Sequence, residues 1–186
     1  MEVTETQLKG VFIIKPQVFG DARGWFMESW SEKKLKAAGI NVNFVQDNQS
    51  YSAEKGTLRG LHYQLNPMCQ AKLLHATRGT IFDVAVDIRK GSPQYGKWVG
   101  VELSAENKKQ LFIPRGFAHG FITLTDDVEV QYKADNYYAP DCDGNIAWND
   151  PDIAVKWPIE PVILSAKDKA APRLAERRDL NFVYSE

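Results

Sequence analysis

The sequence predicts a mainly β fold, a sandwich or barrel of short strands with a few short helices. Three observations predict it. Short runs rich in Val, Ile, Phe and Tyr recur along the chain, bounded by Gly, Pro and Asp. Helix start and stop signals are confined to two places, near residue 31 and after residue 165. Two histidine-bearing stretches, 57–64 and 113–121, carry spacing that β-barrels use to hold a metal.

The elements follow in order. Val11 to Ile14 reads as an apolar strand running into Lys15 and Pro16, and Gly24 to Trp30 as a second. Ser31 as N-cap and Gly39 as terminator bracket a short helix. Phe44 to Ser50 is the next strand, and the 57–64 stretch another. Then come Ala71 to Thr77, Thr80 to Ile88, Lys97 to Leu103, Gln110 to Ile113, Phe121 to Leu124 and Val128 to Ala134. From Ser165 onward Ala, Lys, Arg and Glu prevail, so a helical tail over about 165–186 is expected. A chain of 186 residues is most simply one domain, 1–186, with a real core.

Composition excludes several partner classes. A net charge of -1 gives no reason to expect nucleic acid. No apolar run is long enough for a membrane span, and the polar, acidic start Met1 to Thr6 is unlike a secretory signal. Cys69 and Cys142 lack CxxC spacing and fit a reducing cytosol.

The histidines decide which chemistry is open. Alternate strand residues point the same way, so His-x-His would aim two imidazoles into one barrel mouth. Gly56 and His62 fit the first half of such a motif, but Gln64 occupies the second histidine position, and neither Met68 nor Cys69 supplies the carboxylate. Pro114, Gly116 and His119 fit the second motif in full. A metal held by His62 and His119 alone would be weak, because such sites ordinarily need three or more protein ligands. His75 has no such company and reads as structural.

Six segments in order then carry a resemblance: Val18 to Gly24, Phe44 to Asn48, Leu58 to Gln64, Phe82 to Arg89, Ile113 to Phe121 and Leu164 to Asp168. Together, over about Val11 to Pro172, the chain resembles the dTDP-4-dehydrorhamnose 3,5-epimerase family. The resemblance implies a double-stranded β-helix, a jelly-roll barrel of cupin type, with no metal and no cofactor. It implies a dTDP-4-keto-6-deoxyhexose as substrate. It also implies a cytoplasmic homodimer, with N-terminal strands of about 1–50 at the interface and Arg23 reaching the partner's pocket. An apolar strand from Val11 to Ile14, left at a sheet edge in a monomer, would be consistent with such pairing.

The resemblance also implies roles. Inverting carbons beside a ketone needs a base on one face, an electrophile for the enolate oxygen and an acid on the other face. His62 resembles the base and Asp168 its carboxylate partner, although Ser165 to Asp168 equally reads as a helix cap. Lys72 resembles the enolate stabiliser, with His119 adding a donor. Tyr132, on the apolar face of its strand, resembles the acid. Arg23, Arg59 and Lys167 match diphosphate positions. Glu28, Gln46, Asp47 and Asn48 match positions that touch thymidine or its neighbouring sugar, and Tyr138 the aromatic that stacks on thymine. Asp143 stands where the family often has a longer Glu. Strict alternation puts Arg59 and His62 on opposite faces unless Gly60 marks a bulge. The alternatives in view are a single-carbon epimerase or ketoisomerase, a non-catalytic nucleotide-sugar barrel and a metal-dependent cupin.

Overall fold

A computed structural model describes residues 1–184 and bears out the mainly β expectation. In chain order the strands are β1 (Glu2–Glu5), β2 (Phe12–Lys15), β3 (Val18–Asp21), β4 (Gly24–Met27), β5 (Gln46–Ser52), β6 (Leu58–Gln64), β7 (Lys72–Arg78) and β8 (Thr80–Asp87). They continue with β9 (Trp98–Ser104), β10 (Gln110–Ile113), β11 (Phe117–Thr123), β12 (Val128–Ala134) and β13 (Asp143–Asn145). Helix α1 (Glu32–Ala37) starts at Ser31, whose hydroxyl accepts from the Lys34 N–H, and α2 (Ala166–Lys169) starts at Ser165.

Two sheets face each other, and their antiparallel ladders close most of the barrel. One has the order β1-β2-β10-β7-β12-β5, the other β13-β6-β11-β8-β9. Alternation explains the packing. Leu74, Val128 and Val130 of the first sheet meet Ile81, Ala85, Phe117 and Phe121 of the second in a shared interior core. The odd-numbered residues of β8 therefore point inward, and this aims the charged Asp83 at the interior. The opposite face of the second sheet carries Val84 and Val86, covered by Ile146, Leu174, Leu180 and Phe182 of the C-terminal segment. The outer face of the first sheet is covered by Leu35 and Ile40 of the α1 region. Each fully buried Leu or Ile contributes roughly 2 kcal/mol of transfer free energy.

Two expectations need correction. β2 is not an edge strand: β1, unforeseen in its acidic sequence, pairs along its free side, and Val11 and Ile14 are fully buried. The second correction concerns the tail, which is not helical throughout. α2 lasts four residues, because Pro172 cannot extend it; a 3-10 turn follows at Leu174–Glu176, and the chain then passes a further turn at 178–179 to bridge Lys90 at Val183. Residues 185–186 of that expected tail lie outside the described residues. β3 and β4 form a separate two-stranded hairpin, ladder-bonded to neither large sheet among the described residues. Among the described residues, no helix is long and apolar enough to cross a membrane.

The bulge at Gly60 is present and resolves the facing conflict. His62 pairs with His119 but Arg59 pairs with Phe121, so Gly60 and Leu61 together oppose Gly120. Gly60 has φ +130°, and a Cβ there would lie 2.5 Å from the Gly120 Cα and 2.8 Å from the His119 carbonyl oxygen. Both obstacles are backbone and cannot swing aside. Gly60→Ala is therefore expected to destabilise the fold by about 3 kcal/mol. Urea unfolding checks it, and an unchanged midpoint would refute the steric account.

Candidate active site

The cavity that opens between the sheets has a volume of about 450 Å³, within the range of small-ligand sites. β6 supplies Arg59 and His62, β7 Lys72, β11 His119 and Phe121, and β12 Tyr132. Leu164, Ser165 and Asp168 close one side. The bulge is what lets Arg59 and His62, three residues apart, line one cavity.

His62 and Asp168 form the closest polar pair in it. His62 Nε2 lies 2.5 Å from Asp168 Oδ1, and Asp168 is buried while His62 remains partly exposed to the cavity. An ionised carboxylate accepts only, so Nε2 carries the proton and Nδ1 keeps its lone pair. Nδ1 has no hydrogen-bond partner among the described residues. Burial alone would raise the Asp168 pKa, but the His62 hydrogen bond and charge outweigh it. With donation from Ser165 and the Gly60 N–H, they hold the carboxyl below its ordinary value. The stability this adds is complete above the ordinary Asp range and is lost as pH falls through the lowered value. The two readings of Asp168 are both realised: its N–H also donates to Ser165 Oγ at 3.0 Å, so it sits in the cap and on the histidine at once.

Lys72 enters from the facing sheet. It is half-buried, with no side-chain hydrogen bond among the described residues, and its Nζ lies 5.9 Å from the Tyr132 ring centre. Burial pushes its pKa down from 10.5 to about 8, opposed by Asp83 and Asp143. Tyr132, also half-buried, has its phenol pKa raised by burial against the pull of Arg59. His62 and Tyr132 thus address the cavity from opposite sheets.

Behind them is a second histidine–carboxylate pair. His119 Nε2 lies 2.7 Å from Asp83 Oδ1, and both are buried. Burial lowers the His119 pKa despite Asp83, so the ring is neutral at neutral pH. Asp83 Oδ2 has no hydrogen-bond partner. Sequence reasoning passed over Asp83, although an aspartate at an inward position of an apolar strand was a readable signal.

The residues matched to the nucleotide divide into three groups. Arg59 lines the cavity with its guanidinium anchored 2.9 Å from the Tyr51 carbonyl and 3.2 Å from Ser52 Oγ. Gln46 and Asn48 share one face of β5; the Gln46 amide donates to Asn48 Oδ1 at 2.9 Å and its oxygen accepts from the Tyr138 N–H at 3.2 Å. Tyr138 is exposed, and its hydroxyl donates to Asp143 Oδ2 at 3.4 Å; the same oxygen pairs with Lys167 Nζ. Asp47 belongs elsewhere. It lies one residue out of phase with Gln46 and Asn48, so alternation turns it to the outer face of the sheet, where it pairs with Lys133 at 2.8 Å. A separate outer cleft holds that pair with Trp30 and His75, which keeps His75 out of the His62 cavity. Arg23 and Glu28 are not brought to His62 within one chain. Arg23 pairs with Asp21 at 2.5 Å on the β3–β4 hairpin, and Glu28 with Lys34 at 2.8 Å.

Gln64, which replaces a second metal-type histidine, is a fastener. Its amide nitrogen donates to the Met68 carbonyl at 2.5 Å and to the Tyr137 carbonyl at 3.1 Å, and its oxygen accepts from the Ala139 N–H at 2.9 Å. The two available histidine Nε2 atoms are each engaged by a carboxylate. Among the described residues, no group of three or more His, Cys, Asp or Glu is placed to hold a metal ion.

Comparison with known proteins gives the family. Residues 5–176 match the family model described as dTDP-4-dehydrorhamnose 3,5-epimerase. A protein of that name from Shigella flexneri is 54% identical over 169 residues, which are 90% of this chain and 93% of that protein. The crystal structure of an epimerase from Legionella pneumophila in complex with dTDP-4-keto-L-rhamnose superposes with a TM-score of 0.95 at 47% identity, covering 100% of this chain and 99% of the other. A 3'-monoepimerase from Streptomyces bikiniensis, solved in complex with dTDP-quinovose, superposes at 0.86 with 35% identity, covering 94% and 88% of the two chains. Fold, cavity and sequence agree: the chain belongs to the dTDP-4-dehydrorhamnose 3,5-epimerase family.

Proposed function

We propose that the protein converts dTDP-4-dehydro-6-deoxy-D-glucose to dTDP-4-dehydro-L-rhamnose by inverting C3 and C5 of the sugar. One observation carries this reading. A histidine with a free Nδ1 and a carboxylate behind it faces a tyrosine hydroxyl across a single cavity, with a lysine ammonium beside them.

The chemistry follows from that placement. The C4 ketone acidifies the protons on C3 and C5. His62 Nδ1 takes one of them, and the C–H electron pair moves through the C3–C4 or C4–C5 bond onto the ketone oxygen. Lys72, as ammonium, stabilises the enolate oxygen, and His119 lies beside it as a neutral ring. Asp168 stabilises the imidazolium that forms. The enolate then collapses, and Tyr132 delivers its proton to the opposite face of the carbon. His62 loses its proton to solvent and Tyr132 regains one, so each carbon is inverted with no net change in oxidation state. No step calls for a redox cofactor.

Arg59 and Lys167 serve the diphosphate, and Gln46, Asn48 and Tyr138 the thymidine side, with Asp143 orienting Lys167 and Tyr138. A homodimer belongs to the same reading. Phe19, Trp25 and Phe26 on the hairpin are 55%, 57% and 69% exposed, an apolar arm that nothing among the described residues covers fully. Exchanged onto a second copy, it would take Arg23 and Glu28 toward the partner's site. Sedimentation of a monomer at working concentration would overturn the assembly. The free cysteines Cys69 and Cys142 fit a cytosolic setting.

Deuterium uptake from solvent tests the activity. Incubation with dTDP-4-keto-6-deoxyglucose in deuterated water is expected to label both C3 and C5. Label at one carbon alone would make the protein a single-carbon epimerase, and bound substrate without label would leave only a binding barrel.

A further inference from the structure

α2 has four residues, too few to hold its own shape in water. Yet it carries Asp168, whose carboxylate must stay within hydrogen-bond distance of a histidine on another element. Something outside the helix must fix it. Ser165 caps it, but that bond is internal to the segment and does not set its distance from β6.

Two ties reach the segment from β6 itself: the Gly60 N–H donates to the carboxylate, and the Leu58 N–H donates to the Ile163 carbonyl at 2.9 Å ahead of the helix. The tie to the helix backbone next to Asp168 runs through β13. This strand pairs with β6 so that Asn145 stands opposite His62 and Asp143 opposite Gln64. Asn145 is buried, and its Nδ2 donates to the Lys167 carbonyl at 2.9 Å. Lys167 directly precedes Asp168. At its other end, Lys167 Nζ pairs with Asp143 of the same strand. β13 therefore grips one residue of α2 at both its carbonyl and its ammonium. The ammonium end is exposed and yields readily to solvent or phosphate. The carbonyl end is sheltered and is the firmer of the two.

We infer that Asn145 is a positioning residue for the proposed reaction: through the Lys167 carbonyl it holds the Asp168 carboxylate on His62 while touching no reacting atom. This rests on the reading of His62 and Asp168 as the base and its partner.

A double-mutant cycle tests it. Asn145→Ala is expected to lower kcat about tenfold while KM and dTDP affinity stay within about twofold, since a small misplacement of a reacting group is costly, while among the nucleotide contacts Asn145 reaches only Lys167, whose ammonium keeps Asp143. In an Asp168→Asn background the same change should cost less than about twofold, because residues acting through one another are not additive. Asn145→Asp, which keeps the side-chain shape but loses the donor, should share the loss; thermal melting shows that it folds. The inference is overturned if the tenfold loss persists in the Asp168→Asn background, if KM rises as much as kcat falls, or if Asn145→Asp keeps full kcat. Full activity of the Asn145 variants beside a dead His62→Ala enzyme would sink this inference alone. Full activity of His62→Ala would sink the reading beneath it.

Discussion

His62→Ala is expected to lower kcat/KM for epimerisation about a thousandfold, within the range that a positioned general base provides. On the proposed reading, binding of dTDP should change less than about twofold, because His62 serves the sugar and Arg59 and Tyr138 serve the nucleotide. The geometry makes the expectation sharp. Nδ1 is the only cavity-facing ring nitrogen of His62 left unprotonated when Asp168 holds Nε2, and no other histidine on the cavity has this exposure: His119 is sealed against Asp83. Solvent exchange into the substrate is the direct readout. Deuterium uptake at the wild-type rate in the variant would remove His62 from the mechanism.

Lys72→Met should be nearly as damaging, lowering kcat a few hundredfold, as expected for loss of a preorganised electrophile. The wild-type pH profile adds a second check. Only the ammonium stabilises an enolate, and burial sets its pKa at about 8. kcat/KM should therefore decline as pH rises through about 8, and Lys72→Arg, which stays charged, should lose that decline whatever its absolute rate. Stability should move the other way. Between about 8 and 10.5 the unfolded chain binds more protons at this residue than the folded one, so folding stability rises with pH across that window. The rise should be missing in Lys72→Met. An alkaline decline unchanged in Lys72→Arg would assign it to another group.

Much of the barrel was legible because strand alternation sets the facing of β7 and β12, even where, as in β7, both faces are covered. The inward set Lys72, Leu74 and Ala76, and the set Val128, Val130, Tyr132 and Ala134, lie where alternation put them. β1 was not legible: its charges alternate with nothing large, and it becomes a strand because the buried β2 needs its free edge paired. The tail misled because Ala, Lys and Glu favour helix locally, while Pro172 and the apolar groove that receives Leu174, Leu180 and Phe182 decide otherwise.

The site was legible in its chemistry more than in its facing. His62, Lys72, Tyr132 and Asp168 were singled out by resemblance and converge on one cavity. Asp47 lies outside this cavity because a run of three polar residues on a strand cannot all face one way. The Gly60 bulge shows the opposite lesson, since a single glycine reversed the parity of Arg59 against His62. Asn145 was silent because a short polar strand after a turn looks like loop until its partner strand is known.

Gln64 has a consequence beyond its own contacts. Its three hydrogen bonds hold down the backbone of residues 137–139, the segment that presents Tyr138. An imidazole has two ring nitrogens and cannot reproduce one acceptor and two donors in that arrangement. A histidine at position 64 would thereby release the segment that carries Tyr138. One side chain at position 64 can therefore serve as a metal ligand or as the fastener of this segment, but not as both.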